Sequence, residues 1–225
     1  MFDSLGDRMK RYEDVNRYHL YPRMPIVIRI DGRAFHTFTK GFEKPFDFTL
    51  KNAFQYTLLS LTKELSEAKI GYTQSDEISL FIHIYNRFDT EAIFNGNIQK
   101  ISSNVASLAT VYFNKFLSSE KFGTFDCRCF NLPKEEIYNY FLWIQRDCIR
   151  NSISSYARHL LGHKACLKKK TGELLNLIPK EKWDTVNKAF KYGSLILKPS
   201  DTFIYKNIQE CKDEIENLVI YQEEK

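Results

Sequence analysis

The order of hydrophobic periods between residues 26 and 130 constrains this chain more than any other feature. Pro25 precedes a short apolar strand, Ile26-Val27-Ile28-Arg29-Ile30, which ends on Asp31 and Gly32. Residues 47–67 then place Leu50, Phe54, Leu58, Leu61 and Leu65 at spacings of three and four, a helical stripe. Ile70 to Gln74 reads as a strand and Ser75-Asp76-Glu77 as a hairpin turn. Ile78 to Tyr85 resumes with Ile78, Leu80, Ile82 and Ile84 alternating on one face. A second helical stripe runs through 91–117 (Ile98, Ile101, Val105, Leu108, Tyr112, Phe116), and Thr124 to Phe130 gives a fourth strand before Pro133. The order is β-α-β-β-α-β, the split βαβ pattern. It predicts an α+β fold with a ferredoxin-like core, an antiparallel sheet and two helices on one of its faces.

The flanks are mainly helical. Residues 3–17 fit a short amphipathic helix made basic by Arg8, Lys10, Arg11 and Arg17. A long helix follows Pro133, with Ile137, Phe141, Ile144 and Cys148 on its stripe and Trp143 expected in the core. Lys164, Lys168, Lys169 and Lys170 form a basic patch, whose ordinary reading is a solvated face. A helix over 173–188, a strand from Gly193 to Lys198 and an amphipathic helix with an acidic tail over 206–225 complete the expectation. No repeat and no Gly-, Pro- or Ser-rich linker divides the chain, so one domain over 1–225 is expected, with its core at about 20–132 and a helical, basic portion at about 133–225.

Composition excludes several classes. Hydrophobic residues at 43% suffice for a sizeable core, and only 9 Gly and 6 Pro argue against a low-complexity chain. The net charge of +5 suits a polyanionic partner without requiring one. Five cysteines, an odd number, point to a reducing compartment. Cys127 and Cys129 lack the spacing of a zinc knuckle. No apolar run is long enough for a membrane span. The start carries no Arg-rich targeting pattern, so the cytoplasm is the expected location, with the mitochondrion as the alternative.

The β-α-β-β-α-β order brings Asp31, at the end of the first strand, to the same sheet edge as Asp76, in the hairpin between the second and third. Two nearby carboxylates repel unless something neutralises them. A pair of Mg²⁺ ions does so, and such a pair clamps the attacking and leaving oxygens of a phosphoryl displacement. Gly32 would let the backbone approach a metal or phosphate closely. The amides of Gly32-Arg33-Ala34-Phe35-His36 could cradle a triphosphate, with Arg33, Lys44 and Ser75 as further phosphate partners. The same residues also fit plain turns. The residues alone therefore leave two readings open: palm-like nucleotidyl chemistry, or a ferredoxin-like binding module.

These segments resemble the tRNA-His guanylyltransferase family and its wider "like" branch. Arg29-Ile-Asp-Gly-Arg-Ala-Phe-His36 is similar to that family's metal and nucleotide motif, Lys44-Pro45 follows at the expected distance, and Ser75-Asp76-Glu77-Ile78-Ser79 resembles its second carboxylate motif. Phe125-Asp126-Cys127-Arg128 resembles a third motif, which usually has Gly before the Arg. The Trp143-Ile-Gln145 helix and Lys191-Tyr-Gly193-Ser-Leu195 resemble later ones. The resemblance covers residues 5 to about 200 in one order. It implies a polymerase-palm fold adding nucleotides in the 3′-to-5′ direction to an activated tRNA 5′ end, with GTP and ATP as substrates. It implies that Asp31, the Gly32 carbonyl and Asp76 ligate two Mg²⁺, with Glu77 in support. Asp31 through His36, Lys44, Ser75 and Asp76 would then contact the nucleotide, and Arg128, Arg150 and Asn151 the RNA or the activating nucleotide. It also implies a homo-oligomer, a tetramer built from dimers.

One departure matters. Members that guanylate tRNA-His carry His-Ile-Asn-Asn where this chain has Ile149-Arg150-Asn151-Ser152. That favours the branch that repairs 5′-truncated tRNAs against the opposite strand over strict tRNA-His maturation. A palm-type nucleotidyl cyclase and a non-catalytic RNA-binding module are the remaining rivals. The chain has Gln74-Ser75-Asp76-Glu77 where the cyclases have a Gly-Gly-Asp/Glu hairpin.

Overall fold

The computed structural model describes residues 4–85 and 90–220. Its centre is a five-stranded antiparallel sheet in the order β4-β1-β3-β2-β5, made of β1 Ile26–Gly32, β2 Ala68–Gln74, β3 Glu77–Ile82, β4 Phe125–Asn131 and β5 Ser194–Leu197. The first four strands follow the split βαβ order, and β5 extends the β2 edge.

The helices are α1 Leu5–Asp14, α2 Phe35–Phe38, α3 Phe48–Glu64, α4 Ile98–Leu117, α5 Lys134–Leu161, α6 His163–Cys166, α7 Thr171–Leu177, α8 Lys180–Thr185, α9 Lys188–Tyr192 and α10 Lys212–Val219. Helices α3 and α4 cover one face of the sheet, as expected. Their buried Phe54, Leu58, Leu61, Val105 and Phe113 belong to the same core as Ile28, Ile30, Ile78 and Leu80. The other face is also covered: α5 lies across it, and its Tyr140 shares a 2.9 Å hydrogen bond with Ser79 of β3. The sheet is therefore sandwiched between helical layers rather than covered on one side. This explains why the strands carry so few exposed residues.

Several expected boundaries shift for local reasons. The helix expected from 91 begins at Ile98, because Gly96 takes φ 70° and the Asn97 carboxamide caps the Lys100 amide at 2.9 Å. The helix expected over 173–188 breaks into α7, α8 and α9. Pro179 supplies no amide donor, and Asn187 caps the last piece. The final helix shortens to a 3₁₀ turn, Ile208–Cys211, followed by α10, and the acidic tail at 221–225 lies outside the described residues. Helix α1 forms, capped by Ser4, but buries none of its residues. The five cysteines are free thiols, and among the described residues no helix is long and apolar enough to cross a membrane.

Two polar anchors tie the C-terminal elements to the sheet. The Gln145 side chain, almost fully buried, donates to the carbonyls of Tyr192 and Lys206 at 3.0 Å each and accepts from the Ile208 amide at 2.7 Å. The Tyr72 hydroxyl donates to the Tyr192 carbonyl at 2.8 Å. Gly193, at φ 73°, lies so close that a Cβ would stand 2.3 Å from that hydroxyl oxygen. Gly193→Ala should therefore cost about 2–4 kcal/mol through overpacking and backbone strain. Urea denaturation checks this, and a loss under about 0.5 kcal/mol, as for an ordinary surface change, would count against the account.

Candidate active site

The site grows from the end of β1. Asp31 pairs across the sheet with Glu77 of β3 on one side and Asp126 of β4 on the other, so the three share a face with Arg29, two residues back. Gln74 and Glu77 are the last pair of the β2–β3 hairpin, leaving Ser75 and Asp76 as its two-residue tip, with Ser75 at φ 50°. The amide of Gly32 donates to the carbonyl of Asp76 at 3.0 Å. The end of the first strand is thus joined directly to the hairpin tip, and Asp31 and Asp76 are neighbours.

Electrostatics reflect that crowding. Burial raises the Asp76 carboxyl above the usual carboxylate range and neighbouring Asp31 adds to the rise, while the Ser75 hydroxyl and Arg29 oppose it. Glu77 is also raised, first by burial and then by Asp31 and Asp76, against the pull of Arg29. The Arg29 guanidinium holds the Glu77 carboxylate in a hydrogen-bonded ion pair, and the Gln74 amide adds a bond at 3.2 Å. The same guanidinium sits 5.5 Å from the Trp143 ring. Trp143, expected in the core, is in fact 55% exposed and serves as the outer cover of Arg29.

A cleft of about 460 Å³ opens beside the tip. Its walls come from the segment between α2 and α3, the start of α3, the Ser75-Asp76 tip, the middle of α5 and α9. His36, Lys44, Ser75, Asp76 and Asn151 line it. One wall is aromatic: Phe46 stacks on Phe190 with centroids 4.6 Å apart, and Tyr156 lies parallel to Phe46 at 6.2 Å. Lys51 points its ammonium toward Phe48 and Phe190, and burial lowers its pKa.

Other expected contacts lie differently. Asp31, Gly32 and Glu77 do not line the cleft; they adjoin it through Asp76. The expected cradle of five successive amides is reduced, because the Gly32 amide bonds Asp76 and the Arg33 amide bonds the Thr124 carbonyl at 2.8 Å. Arg33 and Ala34 are exposed, Ala34 at φ 54°. Phe35 is buried among Phe38, Phe54, Phe113 and Phe125, so its ring belongs chiefly to the core. That ring also accounts for Gly32: a Cβ there would stand 2.3 Å from Phe35 Cδ2. Arg128 is exposed and 3.6 Å from Asp126. Arg150 pairs with Asp147 and stays outside the cleft, and Asn151 donates to the same carboxylate at 2.8 Å.

The sequence reading assigned no site role to Arg29, Phe46, Lys51 or Phe190. Arg29 carried a signal, since period-two alternation puts it on the Asp31 face. Phe190 carried none, being brought to Phe46 by the tertiary fold.

A carboxylate pair where the end of a central strand meets a hairpin tip, beside a cleft with basic and hydroxyl groups, suits phosphoryl chemistry, and the comparisons with known proteins make the class that of the nucleotidyltransferases. Residues 6–133 match the family model described as Thg1, tRNAHis guanylyltransferase. A bacterial tRNA(His) guanylyltransferase-like protein solved in complex with ATP superposes with a TM-score of 0.91 at 39% identity, over 96% of this chain and 99% of that one; in complex with GTP it gives 0.86 at 37%. An uncharacterized protein of Acanthamoeba polyphaga mimivirus is 31% identical over 232 residues, 87% of this chain and 77% of that protein. The tRNA(His) guanylyltransferase of Schizosaccharomyces pombe is 32% identical over 163 residues, 68% of this chain and 59% of that enzyme. The chain belongs to the tRNAHis guanylyltransferase family.

A carboxyl raised in the folded state binds protons more tightly there than in the unfolded chain. Its ionisation therefore costs stability as pH rises through and above the ordinary carboxylate range. Asp76→Asn removes that cost. In EDTA, the melting temperature of Asp76→Asn relative to wild type should climb between about pH 4 and pH 7; a difference that stays flat or falls would contradict the burial of this carboxyl.

Proposed function

We propose that this chain adds nucleotides to the 5′ end of tRNA in the 3′-to-5′ direction, repairing 5′-truncated tRNA against the opposite strand. The observation that carries the reading is the Gly32–Asp76 hydrogen bond, which sets Asp31 and Asp76 side by side at the mouth of a cleft holding Lys44 and Ser75. The likeness to a bacterial relative solved with ATP and with GTP supports nucleoside triphosphates as substrates. Ile149-Arg150-Asn151-Ser152, in place of His-Ile-Asn-Asn, supports repair over strict tRNA-His maturation. The names of relatives such as the fission-yeast enzyme favour the second reading, a tRNA-His guanylyltransferase. Assembly as a homotetramer belongs to the same proposal.

In this account Lys44 and Ser75 grip the phosphates of the incoming nucleotide. Its 3′-hydroxyl oxygen attacks the α-phosphorus of the activated RNA 5′ end, and the bond to the activating pyrophosphate or adenylate breaks. Arg29 holds Glu77 in place, keeping it behind the Asp31–Asp76 pair. Mg²⁺ fits the donor set. It is commonly held by one or two carboxylates plus substrate phosphates, and among the described residues no cluster of three or more His, Cys, Asp or Glu could hold a metal by itself. Asp31, Asp76 and the Gly32 carbonyl would hold two ions, which when bound neutralise phosphate charge and favour ionisation of the attacking hydroxyl.

The test is extension of matched full-length and 5′-truncated tRNAs, including non-His species, with all four nucleotides and with or without Mg²⁺. Addition that follows the opposite base, requires Mg²⁺ and falls at least about 100-fold in Asp31→Asn, the scale of losing one electrostatic stabiliser, is the expected result. Addition only to tRNA-His regardless of the opposite base would select the second reading. Cyclic product formed without RNA would select a cyclase, and unchanged RNA function in Asp31→Asn a binding module.

A further inference from the structure

We infer that the basic connector Lys164–Lys170, beyond the far end of α5, is a docking surface for the phosphate backbone of the RNA whose 5′ end enters the cleft. This rests on the function proposed above and names the surface that holds the body of that substrate.

Charge is the first observation. Residues 155–190 hold eight Lys and Arg against three Asp and Glu, an excess of five, equal to the net charge of the whole chain. Lys164, Lys168, Lys169 and Lys170 are all exposed. Among the described residues none of the four makes an ion pair. The nearest acid in sequence, Glu173, makes no ion pair with them; its carboxylate accepts the backbone amide of Lys170 at 2.6 Å. Like charges gathered on one exposed surface repel one another and raise the local potential, which attracts a polyanion.

The connector is also built rather than loose. Cys166, Leu174 and Ile178 pack with Ile153 and Ala157 in a small core separate from the main one. Lys168 sits at φ 59°, a conformation lysine seldom adopts. Its neighbours are tied by the Lys169 amide to the Cys166 carbonyl and the Leu167 amide to the Lys164 carbonyl, each at 3.4 Å.

Placement completes the case. The segment after the cleft is tied to its wall: Tyr156 lies parallel to the wall residue Phe46 on one side and packs against Trp183 on the other, at 5.7 Å. Ser155 lines the cleft, and α5 ends six residues later at Leu161. That interval is about 9 Å at 1.5 Å per residue. A strand with its 5′ end in the cleft and running along α5 meets the connector where that helix ends.

The test substitutes Lys164, Lys168, Lys169 and Lys170 together by Gln in the full chain and measures the Kd for 5′-truncated tRNA from 50 to 300 mM salt. Melting temperature and ATP binding serve as folding controls, and a Lys10→Gln variant on α1 as a charge control. The expected result is a Kd at least about tenfold weaker at low salt and a log–log salt slope shallower by about 3, since each phosphate contact contributes roughly 0.7–0.9, with ATP binding unchanged. A quadruple variant equal to a wild type that binds tRNA overturns this inference alone, and wild type that binds no tRNA overturns the function as well. Loss of binding to anionic phospholipid vesicles with RNA affinity intact assigns the surface to a membrane and overturns it too.

Discussion

The site depends on one backbone hydrogen bond, from the amide of Gly32 to the carbonyl of Asp76. It joins the end of a central strand to the tip of a hairpin, and neither partner is a side chain that could swing away. β1 is paired on both edges, to β3 and β4, so its end is fixed before the carboxylates are considered. The acids are then partly buried and forced close together, and burial first, with mutual repulsion adding to it, raises Asp76 and Glu77. Arg29 relieves part of that repulsion by pairing with Glu77, and the remaining pair is what a cation would neutralise.

Support for this junction comes from apolar packing. Phe35 follows Gly32 by three residues and fills the space a Cβ at Gly32 would need. Its ring sits with Phe54 of α3, Phe113 of α4 and Phe125 of β4, so the segment leaving β1 is pinned to three elements at once. On the other side, Gln55 donates to Ser194 at 2.8 Å and to Tyr205 at 3.0 Å, and Gln145 grips three backbone groups of the C-terminal segment. The cleft between these supports is therefore walled by parts of the chain far apart in sequence, each held by the main core or by the small core around Ile153 and Ala157.

Much of this is legible in the sequence. β1 shows itself by a β-branched run and β3 by apolar alternation, and the hairpin by a polar interruption of the right length, so the meeting of Asp31 and Asp76 follows from strand order. What escaped were features set by competition between local and tertiary terms. The start of α4 falls later than expected because Gly96 takes a positive φ and Asn97 caps the helix, so it begins with the first residue of its stripe, Ile98. Trp143, expected in the core, lies 55% exposed with its ring over Arg29. The reading of Gly32 as room for a ligand missed the ring of Phe35, and Phe190 could be matched to Phe46 only through the fold.

In the proposed mechanism Asp31 and Asp76 act as one unit on the reacting phosphate. A double-mutant cycle on nucleotide incorporation tests it most directly, comparing Asp31→Asn, Asp76→Asn and the pair. Groups that work together lose their shared function once, so the double variant should be slower than the worse single by no more than about tenfold. A double loss equal to the product of the two single losses would mean that the carboxylates act independently, and would contradict the account.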